Sequence, residues 1–170
     1  DAEGCVVEVL VNNAGVMYCQ GIAETSERML KLIMMVHMNT PLLLCRKYVN
    51  GMKERGCGYI LNISSLAAWM SWPGIGMYGN TKGFVRDYSR ELIIECQKTG
   101  VRVTNAYFGA VDTPLIPLKD SLRKLARNLM VMISPEKAVD KALRATFRGR
   151  RGTMPGFLNK LFWPFIVILP

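Results

Sequence analysis

The sequence predicts an α/β fold in which a parallel sheet carries helices on both faces. Strand-like and helix-like segments alternate along the chain, which is the order that βαβ units produce. The predicted strands Val6–Val11, Tyr59–Ser64 and Val101–Tyr107 are rich in Val, Ile and Leu. Such apolar runs fit strands that are buried on both faces. Because 50% of the 170 residues are apolar, the chain can bury a core of its own.

The helices are predicted from start and stop signals along the chain. Their predicted bounds are Glu27–Met35, His37–Arg55, Tyr78–Lys98 and Pro135–Arg148. Thr25 or Ser26 caps the first helix, and Gly56 stops the second. Ser134 supplies a cap for the last helix, with proline and glutamate in its first turn. Two further predictions complete the order: a mobile helical lid at Leu115–Ile133 and a last short strand at Gly152–Met154.

The residues that carry chemistry lie between the second strand and the third helix. Tyr78 and Lys82 are four residues apart, so a helix places them on one face. A phenol with an ordinary pKa of about 10 becomes a usable proton donor when a fixed ammonium stabilises its phenolate. Ser65 lies at the carboxyl end of the strand, where open α/β sheets bind their ligands. Together they predict a proton donor, a group that tunes it and a hydroxyl that holds a carbonyl oxygen.

The segment after the first strand, Asn12-Asn13-Ala14-Gly15, lets the backbone approach a ligand closely because its residues are small. Together with Ser65, Tyr78 and Lys82, it resembles the short-chain dehydrogenase/reductases, and the likeness extends from Val9 to about Phe147.

This resemblance implies a Rossmann-like fold and an NAD(P)-dependent carbonyl reductase or alcohol dehydrogenase. It implies that Ser65 binds the substrate oxygen and that Tyr78 donates the proton. Lys82 is then expected to lower the Tyr78 pKa and to reach the nicotinamide ribose. The cofactor is NAD or NADP, and the residues expected to contact it are Asn12, Ala14, Gly15, Tyr78, Lys82, Val111 and Thr113.

The sequence departs from the family pattern at two positions. Phe108 stands where the family usually has proline, which should soften the turn before Thr113 without removing a contacting group. His37 stands where many relatives have an asparagine that holds a water in a proton relay. A neutral imidazole also holds a water, and a core histidine with one satisfied nitrogen is an equal alternative.

The family's opening strand, glycine-rich turn and helix are missing from the sequence. A G-x-G-x-x-G string occurs at Gly74–Gly79, but the preceding strand ends about ten residues earlier and Tyr78 would be displaced, so we reject it. The first β-α-β-α-β portion is therefore expected to be absent, with 1–155 as the C-terminal two-thirds of the domain and 156–170 as an apolar tail. Such a truncated chain would expose a sheet edge and bind cofactor weakly. A non-catalytic remnant that serves as an interaction module is the alternative.

The net charge is +9, and much of it lies late in the chain. The late basic residues are Arg123, Lys124, Arg127, Lys137, Lys141, Arg144, Arg148, Arg150, Arg151 and Lys160. No nucleic-acid motif accompanies them, so a solvated surface is predicted, with contact to an anionic membrane second. The tail is too short to span a bilayer and Pro164 interrupts it. It fits an interfacial anchor with Trp163 at the boundary, or equally a cover for the substrate cleft or a subunit partner.

The sequence has five scattered cysteines and no signal peptide, which predicts reduced thiols and a cytoplasmic location. Association with a membrane through the apolar tail is the alternative. No metal site is predicted, because His37 is the only histidine and nothing near it has ligand spacing. The expected partners are a small carbonyl or alcohol substrate, apolar like a steroid or a long-chain acyl compound, and further copies of the intact parent. No nucleic acid is expected.

Overall fold

The structure, a computed structural model, describes residues 5–70, 74–116 and 118–168. Parts of three predicted segments lie outside the described residues: 71–73 in the loop after the second strand, 117 in the lid and 169–170 in the tail, as do residues 1–4. The strands are β1 (Val9–Asn12), β2 (Gly58–Ser65), β3 (Val101–Phe108), β4 (Ala110–Val111), β5 (Met132–Ile133) and β6 (Gly152–Thr153). The helices are α1 (Glu27–Met34), α2 (Thr40–Arg55), α3 (Gly76–Glu95), α4 (Asp120–Asn128), α5 (Pro135–Phe147) and α6 (Phe157–Ile168).

Within the described residues, β1, β2, β3 and β6 form a parallel sheet in the order β1-β2-β3-β6. Helices α2 and α3 cover one face, where Leu10, Ile60 and Val103 from the strands pack into a core with Met52 and Leu92. Helix α5 covers the other face and packs on β2 and β3. The prediction of a parallel sheet with helices on both faces is confirmed.

The capping signals are confirmed at three helix ends. The Ser26 hydroxyl accepts a hydrogen bond from the backbone N–H of Met29, and Ser134 caps α5 in the same way. Gly56 ends α2 in the left-handed conformation, with a φ of 69° that glycine adopts without strain.

Other predicted bounds are wrong. The first strand begins at Val9 instead of Val6, and β1 is an edge of the described sheet. The third helix ends at Glu95, three residues before Lys98, because Lys98 takes a φ of 65° and turns the chain back. Only part of the predicted lid is helical, since β5 pairs with β4 instead of continuing α4.

The first two predicted helices are joined into one continuous helical segment. A π-helical turn at Met35–Asn39 connects α1 to α2 and contains His37. Sequence periodicity does not show this turn, because it inserts one extra residue without interrupting the helix. Such turns often mark functional positions.

Candidate active site

Ser65 and Tyr78 are brought together by the turn that links β2 to α3. Ser65 ends β2, and its hydroxyl accepts a hydrogen bond from the N–H of Ala67 at 3.2 Å, which starts a short 3₁₀ helix. Gly79 follows Tyr78 at the start of α3, and a Cβ there would lie 2.9 Å from the Ala67 carbonyl oxygen. A glycine is therefore needed for α3 to approach this turn. The Ser65 hydroxyl lies close enough to the Tyr78 phenol to favour its ionised form and lower its pKa.

Lys82 lies one helical turn beyond Tyr78 and is fixed at both its backbone and its side chain. Its ammonium donates to the Ile63 carbonyl oxygen at 2.9 Å, and its own carbonyl accepts from the Ser64 hydroxyl at 2.8 Å. The residue is only 5% exposed, and burial lowers the pKa of its ammonium from 10.5 to about 8. An ammonium carries three N–H donors, so within the described part of the chain two of them remain for a ligand.

The Tyr78 phenol is not acidified in this structure. Burial raises the Tyr78 pKa above 10, and the hydrogen bond from Ser65 opposes that rise only in part. The Lys82 ammonium lies 5.7 Å from the centre of the Tyr78 ring. The predicted lowering of the Tyr78 pKa is therefore opposite in direction to what this structure shows, because desolvation of the phenolate outweighs the opposing effect of Ser65.

The side chain of Asn12 is used to connect β1 to neighbouring elements of the fold. Its amide nitrogen donates to Asn62 Oδ1 at 2.7 Å and to Cys45 Sγ at 3.3 Å, which links β1 to β2 and to α2. The half-structural role expected for this segment is visible in these bonds. Ligand contact is thereby left to the backbone of residues 13–15. A cleft of about 80 Å³ lies beside this backbone and is lined by Asn13, Ala14, His37, Thr40, Ile63 and Lys82, among others.

His37 has protein partners for both of its ring nitrogens. The backbone N–H of Val16 donates to Nε2 at 2.9 Å, and Nδ1 lies 2.8 Å from the hydroxyl of Thr81. The ring is 1% exposed, and burial, aided by the Lys82 charge, lowers its pKa to about 3. Neither nitrogen is left for a relay water, so the core-histidine interpretation is the one that fits, with two satisfied nitrogens instead of one.

Val111 and Thr113 lie just past the carboxyl end of β3, the strand that neighbours β2. Their segment is held by Arg123 of α4, which pairs with Asp112 at 2.7 Å and donates to the carbonyl oxygens of Thr113 and Ile116. Arg123 is therefore half-buried and paired, not part of a solvated basic face as the sequence suggested. Phe108 belongs to β3, so the strand runs through the position at which a proline was expected.

The C-terminal segment folds as helix α6, which continues through Pro164 and packs beside the site. The Trp163 ring meets Trp69 of the 3₁₀ helix edge-on at 5.9 Å, and Trp69 packs on Tyr107 at 4.7 Å. The side chain of Asn159 lies against Gly109, where a Cβ would overlap it. Trp163 thus contacts protein on the side of Trp69 while 37% of the residue stays exposed, which leaves both the cover and the interfacial anchor open.

The backbone that leads into α6 is tied to the sheet. The carbonyls of Arg150 and Arg151 accept hydrogen bonds from Thr104 and Asn105 in the middle of β3, whereas α6 begins six residues beyond Arg151. No helix in the described part of the chain has the length and apolar character that crossing a membrane requires.

Several residues that build the site were missed from the sequence. Gly79, Thr81, Arg123 and Asn159 act through contacts with residues outside their own helices. Gly79 alone carried a local signal, since a glycine next to Tyr78 at the start of a helix is costly unless another backbone comes close.

Comparison with known proteins matches residues 4–122 to the family described as short chain dehydrogenase. The NADP-dependent 3-hydroxy acid dehydrogenase of Escherichia coli K12 is 36% identical over 113 residues, which are 65% of this chain and 45% of the relative. The NADP-dependent (R)-specific alcohol dehydrogenase of Lentilactobacillus kefiri is 29% identical over 113 residues, with the same two shares of 65% and 45%. A solved short-chain dehydrogenase from Streptomyces avermitilis is 28% identical with a TM-score of 0.78, over 94% of this chain and 65% of its own. The chain thus spans about half the length of the curated relatives it matches.

Proposed function

The chain belongs to the short-chain dehydrogenase family, with the family's Rossmann-like parallel sheet, and from this we propose that the protein is an NAD(P)-dependent oxidoreductase. Its reaction interconverts a carbonyl compound and an alcohol, with Ser65, Tyr78 and Lys82 as the catalytic residues. The observation that carries the proposal is the buried Lys82 ammonium, held by the Ile63 carbonyl near the end of β2 and 5.7 Å from the centre of the Tyr78 ring, beside Ser65.

In the direction of reduction, the substrate oxygen sits where both hydroxyls converge. Ser65 donates a hydrogen bond to that oxygen and fixes its position, which favours the developing negative charge. Tyr78 then transfers its phenolic proton to the oxygen. The phenolate left behind is stabilised by the Lys82 ammonium, which stays charged below its pKa of about 8. A bound nicotinamide cofactor would supply the hydride in this direction and take it up in the reverse.

The residues present fit such a cofactor. A buried ammonium with two unused N–H donors, at Lys82, suits a pair of ribose hydroxyls. The small residue Ala14 lines the same cleft, and Gly15, which follows it, also carries no side chain that would block a ligand. Tyr78 would contact the nicotinamide side. Asn12 would act indirectly by fixing this backbone, and Val111 and Thr113 would contact the nicotinamide end.

The substrate we propose is an apolar carbonyl or alcohol, for which a steroid or a long-chain acyl compound is the model. Helix α6 supports this, because it packs through Trp163 on the 3₁₀ helix that follows Ser65. In this assignment, residues 1–155 carry the sheet and the catalytic groups, while the tail at 156–170 covers the substrate side of the site. The intact protein is proposed to form homo-oligomers.

Replacement of Tyr78 by Phe tests the proposal. The variant should bind NADH or NADPH with wild-type affinity, followed by cofactor fluorescence, and should lose reduction of a panel of aromatic and long-chain ketones. Tyr59→Phe is the matched control, since the Tyr59 ring packs on Phe147 away from the site. Near-normal turnover by Tyr78→Phe would overturn the proposal. Absence of saturable binding of either cofactor to the wild type would favour the non-catalytic interaction module instead.

A further inference from the structure

The hydrogen bonds around His37 define which of its nitrogens carries the proton. Nε2 accepts from the backbone N–H of Val16, so it must present a lone pair and the proton must be on Nδ1. Nδ1–H then donates to the Thr81 hydroxyl, whose own proton goes to the Tyr78 carbonyl oxygen at 2.9 Å. The other tautomer would set two N–H donors against each other at 2.9 Å.

This chain of hydrogen bonds crosses between two parts of the site. It begins at Val16, directly after the Asn12–Gly15 segment, and ends at Tyr78 on α3. His37 reaches both because the π-helical turn at Met35–Asn39 directs it inward. A Cβ at Gly15 would lie 3.2 Å from Nε2, so the glycine and the imidazole are fitted to each other.

The imidazole stays neutral in this environment. The groups that face it are the Tyr78 ring, edge-on at 5.6 Å, and the Lys82 ammonium. Burial and this ammonium together lower the His37 pKa from 6.5 to about 3. The donor and acceptor roles described above are therefore fixed throughout the physiological pH range.

We propose that His37 is a positioning residue whose neutral imidazole, with its proton on Nδ1, ties the Gly15–Val16 backbone to the Tyr78–Thr81 turn. It thereby sets the distance between the segment that would hold the cofactor and the group that would donate the proton. The role goes beyond the proposed function, and it rests on that function only for its kinetic consequences.

The two bonds of His37 can be removed separately. The amide nitrogen of asparagine reaches about as far as Nδ1, whereas the amide oxygen of glutamine reaches about as far as Nε2. His37→Asn should therefore keep the bond to Thr81 and lose the one to Val16. His37→Gln should do the reverse, and His37→Phe loses both while keeping an aromatic ring. Thr81→Val removes the Thr81 bond from the other side.

The expected effects separate binding from catalysis. His37→Asn should weaken NADPH or NADH binding roughly fivefold to tenfold and leave kcat near the wild-type value, because a single hydrogen bond on the cofactor side is lost. His37→Gln and Thr81→Val should both lower kcat by a similar factor and leave cofactor binding nearly unchanged. His37→Phe should show both losses. Circular dichroism of each variant establishes that it is folded before the comparison is made.

The tautomer is tested without any activity measurement. In the wild type, ¹⁵N NMR of the single histidine should show a protonated Nδ1 and an unprotonated Nε2 from about pH 8 down to about pH 5. A proton on Nε2, or an equal loss of binding and kcat in every folded variant, would overturn the proposal. If the wild type bound cofactor but showed no turnover, only the proposed function would be refuted. The ¹⁵N spectrum and the cofactor affinity of His37→Asn would still test the role of His37.

Discussion

The Lys82 ammonium donates a hydrogen bond to the carbonyl oxygen of Ile63 at 2.9 Å, at the carboxyl end of β2. This bond places the charge beneath Tyr78 and away from water, and burial lowers its pKa to about 8. A charged group that is buried with one hydrogen bond destabilises the folded chain. The protein retains it nevertheless, which fits a site that needs a cation more than it needs stability.

Replacing Lys82 with Met should remove the energetic cost of burying the ammonium. The difference in stability between wild type and variant should therefore depend on pH. The folded pKa of about 8 lies below the ordinary 10.5, so the unfolded chain binds more protons between these pH values. The free energy of unfolding of the wild type therefore gains from deprotonation of Lys82 as the pH rises through this window. The Met variant lacks that gain. As the pH rises through this window, its free energy of unfolding should fall relative to that of the wild type by up to roughly 3 kcal/mol.

Urea denaturation of both proteins at about pH 7 and about pH 10 measures the difference. Using the difference between two proteins removes the contributions of the other titrating groups. A difference in the free energy of unfolding that does not change with pH would contradict the prediction.

Gly79→Ala should separate Ser65 from Tyr78. The new Cβ would lie 2.9 Å from the Ala67 carbonyl oxygen and 3.1 Å from that of Met70, and backbone atoms cannot move aside as a flexible side chain can. We expect a loss of about 1–3 kcal/mol in stability and a large loss of turnover. Gly83→Ala is the control in the same helix, because its Cβ would meet the Ala68 oxygen at an ordinary 3.6 Å.

For Gly83→Ala we expect unchanged or slightly raised stability, since alanine favours the helix by about 1 kcal/mol. Thermal unfolding and turnover of the two variants are compared side by side. Equal behaviour of both alanines would show that the close approach at Gly79 does not matter.

The extent to which the sequence predicted the site follows from the distances along the chain. Ser65, Tyr78 and Lys82 belong to one strand–turn–helix unit, so their convergence follows from local periodicity alone. The capping at Ser26 and Ser134 was equally local. The spacing of these residues along the chain could not predict the direction in which the Tyr78 pKa is shifted. The Tyr78 pKa depends on how much water the surrounding elements exclude, and that is decided by packing.

The role of His37 shows the same limit at longer range. Its partners Val16 and Thr81 are 21 and 44 positions away, on opposite sides of it in the sequence. Counting along the chain identified the position and its two interpretations but not the partners that decide between them. Gly100, which follows α3, shows the same kind of long-range contact, because a Cβ there would overlap the Gly56 carbonyl oxygen at the end of α2.

The two arginines that pair with Asp112 should differ in their effect on the loop after β3. Arg123 is 19% exposed and also binds the carbonyls of Thr113 and Ile116, whereas Arg127 is 53% exposed and meets Asp112 at 3.1 Å. Arg123→Ala should cost about 2 kcal/mol, because it removes a half-buried ion pair with Asp112 together with two charge-assisted hydrogen bonds to backbone carbonyls. Arg127→Ala removes a surface ion pair and should cost less than about 1 kcal/mol.

Amide hydrogen exchange tests this difference directly. The backbone N–H of Ile116, which donates to the Thr113 carbonyl, should exchange much faster in Arg123→Ala than in Arg127→Ala. Comparable exchange in the two variants would mean that Arg123 does not hold the loop.

Helix α6 should detach from the site when Trp163 is replaced by Ala. The Trp163 ring packs edge-on against Trp69, an aromatic contact worth about 0.5–1.5 kcal/mol beyond its buried area. Its neighbour Phe162 is 53% exposed and serves as the matched control. We expect Trp163→Ala to increase proteolysis within α6 and to raise KM for an apolar ketone, while Phe162→Ala leaves both near wild type.

The same pair of variants separates a cover from a membrane anchor, because the two roles use opposite sides of α6. Lipid contact would depend on exposed rings such as Phe162, whereas a cover depends on the ring turned toward Trp69. Cosedimentation with anionic vesicles should therefore be the same for the wild type and Phe162→Ala if α6 acts as a cover. A clear loss of vesicle binding in Phe162→Ala, with KM unchanged in Trp163→Ala, would assign the helix to the membrane instead.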